Sequence, residues 1–166
     1  MTNLQASINS RFFLERWWGG STSSSAYTDL HHIYPSDGYV NGVRANYPIG
    51  GVTSTGIIYE SSNKSKLGRC VDPDSSTCFE PFDHIKGQFA RTYFYMSVRY
   101  YKIFTCCNVP QADAWKLKPW TVQTLKQWHR TYVARQTEKN RNDRIFGIQG
   151  NRNPFIDNPD WINKIW

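Results

Sequence analysis

Asp29-Leu30-His31-His32-Ile33-Tyr34-Pro35-Ser36-Asp37-Gly38-Tyr39-Val40-Asn41-Gly42-Val43-Arg44-Ala45-Asn46-Tyr47-Pro48 gathers two imidazoles, two carboxylates, two carboxamides and a guanidinium into 20 residues. Two prolines and two glycines turn the backbone between them. That mixture makes a poor core and a good site. A neutral imidazole at His32 can ligate a divalent metal. Asp29, three residues earlier, can ligate the same ion or orient the imidazole. Arg44 can hold a phosphate with its planar fork. Within the stretch, Pro35-Ser36-Asp37-Gly38 reads as a turn or a helix start, because Ser and Asp cap helices well and Gly permits positive φ.

Outward from this stretch, Gly56–Glu60 reads as a strand, and residues 61–78 as an extended polar loop. The clearest helix runs from Asp83 to Tyr101. Ile85, Phe89, Tyr93, Met96 and Tyr100 recur there at helical spacing, which marks a core-facing stripe. Lys86, Arg91 and Arg99 fall off that stripe, so Arg91 and Arg99 are open to either solvent or phosphate. A second helix opens at Trp120-Thr121-Val122, with Thr121 as its cap and Val122, Leu125, Trp128 and Tyr132 inward. His129 lies beside that face as a structural histidine. A third helix spans Glu138–Gln149, with Ile145 and Ile148 inside and Gly150 as its stop. The aromatic and aliphatic residues of the tail, from Phe155 to Trp166, are expected to clamp onto the core.

Upstream, Phe12-Phe13-Leu14 is a short apolar run. Trp17-Trp18-Gly19-Gly20 makes an aromatic anchor and a turn, and residues 21–25 form a serine-rich surface link.

The chain has 166 residues, which is one domain's worth and enough to bury a core unaided. Its net charge is +7 and its pI about 9.3. A basic balance suits polyanions (nucleic acid, an acidic membrane surface or an acidic polysaccharide), though it also simply confers solubility. The positive charge gathers late, at Arg130, Arg135, Lys139, Arg141, Arg144 and Arg152. No apolar run is long enough to cross a membrane. The first residues carry neither the basic nor the apolar region of a signal peptide. Cys70 and Cys78 bracket a short polar loop that a disulfide could close, as suits an oxidising compartment. Cys106 and Cys107 are adjacent and read as free thiols. No CxxC spacing points to zinc.

The run from Asp29 to Pro48 resembles the bacterial endonuclease I and extracellular ribonuclease family, metal-dependent nucleases built on a ββα-metal (His-Me) finger. Ile148-Gln149-Gly150-Asn151-Arg152-Asn153-Pro154-Phe155-Ile156-Asp157 is similar to the same family. The resemblance implies an α+β fold with a small antiparallel sheet, a finger between larger helices, and a largely helical C-terminal half. It implies one divalent ion, Mg²⁺ or else Mn²⁺ or Ca²⁺. It implies DNA or RNA as partner, a monomer with no membrane attachment, and a secreted or periplasmic location. His32 stands where the family puts its helix-side metal ligand. Asp29 and His31 share that motif, Asp29 as a further ligand or orienting group and His31 as a catalytic candidate. Arg44 and Asn46 match an Asn-Gly-x-Arg-x-Asn run expected to touch phosphate or to brace the site, with Arg44 a second catalytic candidate. Asn151, Arg152 and Asn153 match the C-terminal run, where they either touch nucleic acid or lock the tail against the finger. Arg141 and Arg144 join the nucleic-acid face.

One departure stands out. The family pattern has a Glu-His pair shortly before Trp-Trp-Gly-Gly, the Glu as metal ligand and the His as general base. Counting back from Trp17, those positions are Ser10 and Arg11. Serine is a weak ligand, and arginine stays protonated at any working pH. The family's upstream helical segment is also missing, so the expectation is one domain over residues 1–166, truncated at its N-terminus. His31 and His84 are the substitutes for the base. Two functions follow from the resemblance: a sequence-nonspecific endonuclease, or a nuclease-fold protein that binds nucleic acid without cutting it.

Overall fold

The computed structural model describes residues 7–11, 21–103 and 108–166, with the backbone alone at 7–11 and Asn108. The apolar run at Phe12, the Trp17–Gly20 anchor and the Cys106-Cys107 pair lie outside the described residues. The finger comes first. β1 (Ser7–Arg11) pairs antiparallel with β2 (Ile33–Asp37), and α1 (Gly38–Arg44) follows directly. Asp37 starts α1 as its N-cap, accepting from Val40 N at 3.0 Å, which satisfies one of the orphan donors of the first turn. A 3₁₀ turn, Leu30–His32, leads into β2 and carries both histidines.

The strand expected at Gly56–Glu60 is present as the end of a longer one, and the segment expected to be a polar loop, residues 61–78, instead supplies partners for it. β3 (Val52–Glu60), β4 (Lys66–Cys70) and β5 (Thr77–Glu80) pair antiparallel in that order. The polar residues occupy turns and solvent-facing positions, while Leu67, Cys70, Cys78 and Phe79 point inward. Cys70 and Cys78 are joined by a disulfide. They pack with Val52 and Trp120 in a small second core.

α2 (Asp83–Arg99) is the central helix. Its stripe is buried as expected, but so is nearly every other position from Lys86 to Ser97. A helix enclosed on all sides must satisfy its polar side chains internally. Arg91 is the clearest case, only 1% exposed and paired with Glu138, so neither solvent nor phosphate is its partner. α3 (Pro119–Thr131) packs against α2 at close range, since a Cβ on Gly87 would sit 1.9 Å from Tyr132 O. Pro119 opens α3, and Thr121 is not its cap: it lies inside the first turn and donates to Gln111 O at 2.9 Å. Between α2 and α3, β6 (Asn108–Val109), β7 (Ala112–Asp113) and β8 (Lys116–Leu117) make a miniature sheet.

α4 (Gln136–Gln149) ends at Gly150, whose φ of 78° is the left-handed cap conformation that glycine adopts most freely. Ile145 is buried, but Ile148 is 74% exposed, contrary to the inward position expected of it. The tail folds back through α5 (Pro154–Asp157) and α6 (Ile162–Ile165). Phe155, Ile156 and Ile162 enter the core and Trp166 packs on Phe94, while Trp161 and Ile165 stay largely exposed. The fold is the α+β arrangement with a small antiparallel sheet and a helical C-terminal half.

Candidate active site at the finger

The geometry around the histidine turn begins with Asp29. Its carboxylate caps the turn by accepting from His31 N at 2.8 Å. It also accepts from Tyr95 Oη and Tyr100 Oη, each at 2.6 Å, and from Gln149 Nε2 at 3.0 Å. Burial pushes the Asp29 pKa up. The bonds from Tyr100, Tyr95, Gln149 and the His31 amide outweigh it and hold the carboxyl below its usual value. For both tyrosines, burial first and then contact with Asp29 raise the phenol pKa, so they remain protonated donors. With four donors on two oxygens, Asp29 has little left to offer an ion.

His31 and His32 are both buried. His32 Nε2 lies 2.7 Å from Ala26 O. A carbonyl only accepts, so that nitrogen carries a proton, and in the neutral tautomer the lone pair then belongs to Nδ1. This is how metal-ligating histidines are commonly fixed from behind. His31 Nε2 lies 3.3 Å from Asn151 O, and its ring rests on Tyr95 with centroids 4.7 Å apart. Burial lowers the His31 pKa more than Asp29 raises it, which keeps the ring neutral near pH 7.

The turn is also held by α4. Gln149 Oε1 accepts from Leu30 N at 3.0 Å. Arg141 Nη2 donates to Leu30 O at 2.5 Å and to Ile33 O at 2.9 Å, and its guanidinium stacks 4.5 Å from the Tyr34 ring. Arg141 was expected on the nucleic-acid face, yet it spends these donors on the finger's own backbone.

The rest of the C-terminal run is similarly engaged. Asn151 Nδ2 donates to Tyr95 Oη at 2.6 Å. Asn153, 1% exposed, caps α5 and donates to Arg91 O. Arg152 is paired with Asp143 and Asp157. Of the two alternatives for this run, the contacts of Asn151 and Asn153 match the locking one.

Arg44 is buried in the wall of a cleft of about 400 Å³ beside the finger, together with Tyr34, Asn41 and Arg141. Asn46 and Arg144 are exposed. So are Arg130, Arg135 and Lys139. His84 is apart from the turn, at the start of α2, where its Nδ1 accepts from Arg135 Nη2 at 2.6 Å.

Ser10 and Arg11 lie on β1, opposite Tyr34 and Ile33 respectively. Among the described residues, no three His, Cys, Asp or Glu side chains gather as a metal site. His32 offers an imidazole nitrogen, while the carboxylate oxygens of Asp29, the atoms a hard ion prefers, already accept four hydrogen bonds, so the described residues form only part of such a site. Tyr95, Tyr100 and Gln149 are residues of the site that the sequence did not assign to it. Gln149 lay within the second matching run and Tyr100 within the core-facing stripe, whereas nothing local marks Tyr95.

Comparison with known proteins bears on the whole chain. A family model described as Endonuclease I matches residues 2–160. An extracellular ribonuclease of Bacillus amyloliquefaciens is 34% identical over 152 residues, covering 87% of this chain and 48% of that protein. A periplasmic deoxyribonuclease of Aeromonas hydrophila is 31% identical, covering 78% of this chain and 47% of its own. Endonuclease-1 of Buchnera aphidicola subsp. Baizongia pistaciae is 32% identical, with 78% and 46% covered. The chain spans about half the length of the curated relatives it matches.

Proposed function

The chain belongs to the endonuclease I family, and from that premise we propose that it hydrolyses phosphodiester bonds in DNA, RNA or both, without sequence preference, at the finger built from β1, β2 and α1. The observation that carries this reading is the His31-His32 turn, held in one conformation by Asp29 and α4 directly beside the strand pair. Names of relatives divide between ribonuclease and deoxyribonuclease, which supports both substrates. Extracellular and periplasmic relatives support export of this chain. Among the described residues no helix is long and apolar enough to cross a membrane. We propose a single-domain monomer.

Phosphodiester hydrolysis requires an activated water, charge neutralisation at phosphorus and protonation of the leaving oxygen. A divalent ion, Mg²⁺ or else Mn²⁺ or Ca²⁺, would stabilise that charge and is assigned to His32, with water and phosphate oxygens filling its other positions. Asp29 orients the turn, its oxygens already accepting four hydrogen bonds. His31 is neutral near pH 7, the protonation state a base requires. Arg44 reaches substrate from the cleft wall, and Asn46 and Arg144 contact the phosphate backbone from the surface.

A second reading, binding without cleavage, is favoured by Ser10 and Arg11 standing where the family pattern has its Glu-His pair. Cleavage of supercoiled plasmid and single-stranded RNA, in Mg²⁺, Mn²⁺ and chelator and beside His32→Ala, decides between the two. Metal-dependent nicking that His32→Ala loses supports the nuclease. Salt-sensitive binding without products in any metal supports the binder.

A further inference from the structure

Arg141 lines the cleft beside the finger and belongs by charge to the basic cluster of α4. Its contacts point elsewhere. One guanidinium nitrogen bridges the carbonyls of Leu30 and Ile33, the residues on either side of His31 and His32. The plane of the same group stacks on Tyr34, the next residue of β2. The turn is thus bracketed at both ends by one rigid side chain. From the other side, Gln149 takes up Leu30 N and donates to Asp29. We infer that Arg141 is a positioning residue that fixes the orientation of His31 and His32, and that it is not a phosphate ligand. This rests on the proposed nuclease site, and it gives a single side chain control over both imidazoles.

The two roles leave different signatures. A phosphate ligand contributes to counterion release, and removing one reduces the salt slope of binding by about one. A positioning residue acts on the chemical step, where loss of an orienting partner typically costs roughly 10–100-fold. Lysine separates the roles cleanly. It keeps the charge, but a flexible ammonium cannot both stack on Tyr34 and hold two carbonyls in the plane of a fork.

The test uses the full chain with Arg141→Lys and Arg141→Met, and Arg144→Ala as the comparator for a phosphate contact. Equilibrium binding to a labelled 20-nucleotide DNA is measured in chelator across a salt series. Histidine ring resonances are recorded by ¹⁵N NMR without nucleic acid. kcat and KM are measured in Mg²⁺. The expected result is an unchanged salt slope for both Arg141 variants, shifted His31 and His32 resonances in both, and a kcat at least 10-fold lower with KM within about twofold. A slope reduced by about one in Arg141→Met with ring resonances unmoved overturns the inference. So does an Arg141→Lys variant with native resonances and native kcat. If the parent chain does not cut, the proposed nuclease fails on that arm alone, and the resonances and salt slopes still decide the role of Arg141.

Discussion

Arg91 on α2 and Glu138 on α4 meet fork to fork inside the protein, Nε to Oε1 at 2.7 Å and Nη2 to Oε2 at 2.6 Å. The remaining nitrogen of Arg91 donates to Tyr132 O at 3.0 Å and to His129 Nδ1 at 3.2 Å. This one guanidinium therefore ties together α2, α4 and the end of α3. Removing one partner strands the other charge in a medium that solvates it badly. Glu138→Ala is expected to lower unfolding free energy by about 3–5 kcal/mol, while Arg91→Met with Glu138→Leu recovers most of the loss. Urea melts of the three chains check this.

Asp29 gives the fold an acid-sensitive joint. Its pKa is held below 3.8 in the folded protein, so its contribution is fully present above that value and is lost as pH falls through the folded pKa. His31, held below 6.5, adds to the slope on the same side: the unfolded chain takes up its proton first as pH drops under 6.5. Asp29→Asn is expected to cost about 3 kcal/mol at pH 7 and to flatten the loss of stability below pH 4. Denaturation midpoints from pH 7 to pH 2.5 read both effects.

Two helical glycines should respond in opposite directions to the same substitution. At Gly87 a new Cβ would overlap Tyr132 O, so Gly87→Ala must push α3 off α2, at about 1–3 kcal/mol. At Gly147 nothing lies within 4 Å, and Gly147→Ala should stabilise by about 0.5–1 kcal/mol. Thermal melts of the pair suffice.

The register of β1 sets position 11 opposite Ile33, the residue that follows His32. Replacing Ser10→Glu and Arg11→His together is expected to raise Mg²⁺-dependent plasmid nicking at least 100-fold, the usual range for a positioned general base. Adding His32→Ala should remove the gain. A double variant no faster than the parent would count against the site at this finger.

The parts of the fold that were legible share a short-range signal. The stripe of α2, the Asp37 cap of α1 and the Gly150 stop of α4 are each written within a few residues, and each stands close to where the pattern puts it. The hairpin of β4 and β5 was not legible, because its strands are short and half-polar and look like loop until the disulfide and Trp120 cover one side. Arg91 shows the same limit: its partner is 47 residues away, and a lone arginine beside an apolar stripe carries no mark of burial. At the site, the histidines could be singled out by residue type. Arg141 could not be told from its basic neighbours, since the difference lies in which carbonyls its fork meets.

The grip of α4 on the histidine turn has a consequence for chain length. Arg141 and Gln149 hold the two sides of Leu30 from positions eight residues apart, about 12 Å along the helix. The helix thus acts as a ruler with two fixed marks. Deleting one residue between the marks rotates one of them by about 100° and draws it in by about 1.5 Å, so either the carbonyl or the amide of Leu30 loses its partner. Substitutions on the outer face of this interval leave the spacing intact. Insertions and deletions do not, and a working version of this site should vary freely in composition there while keeping its register.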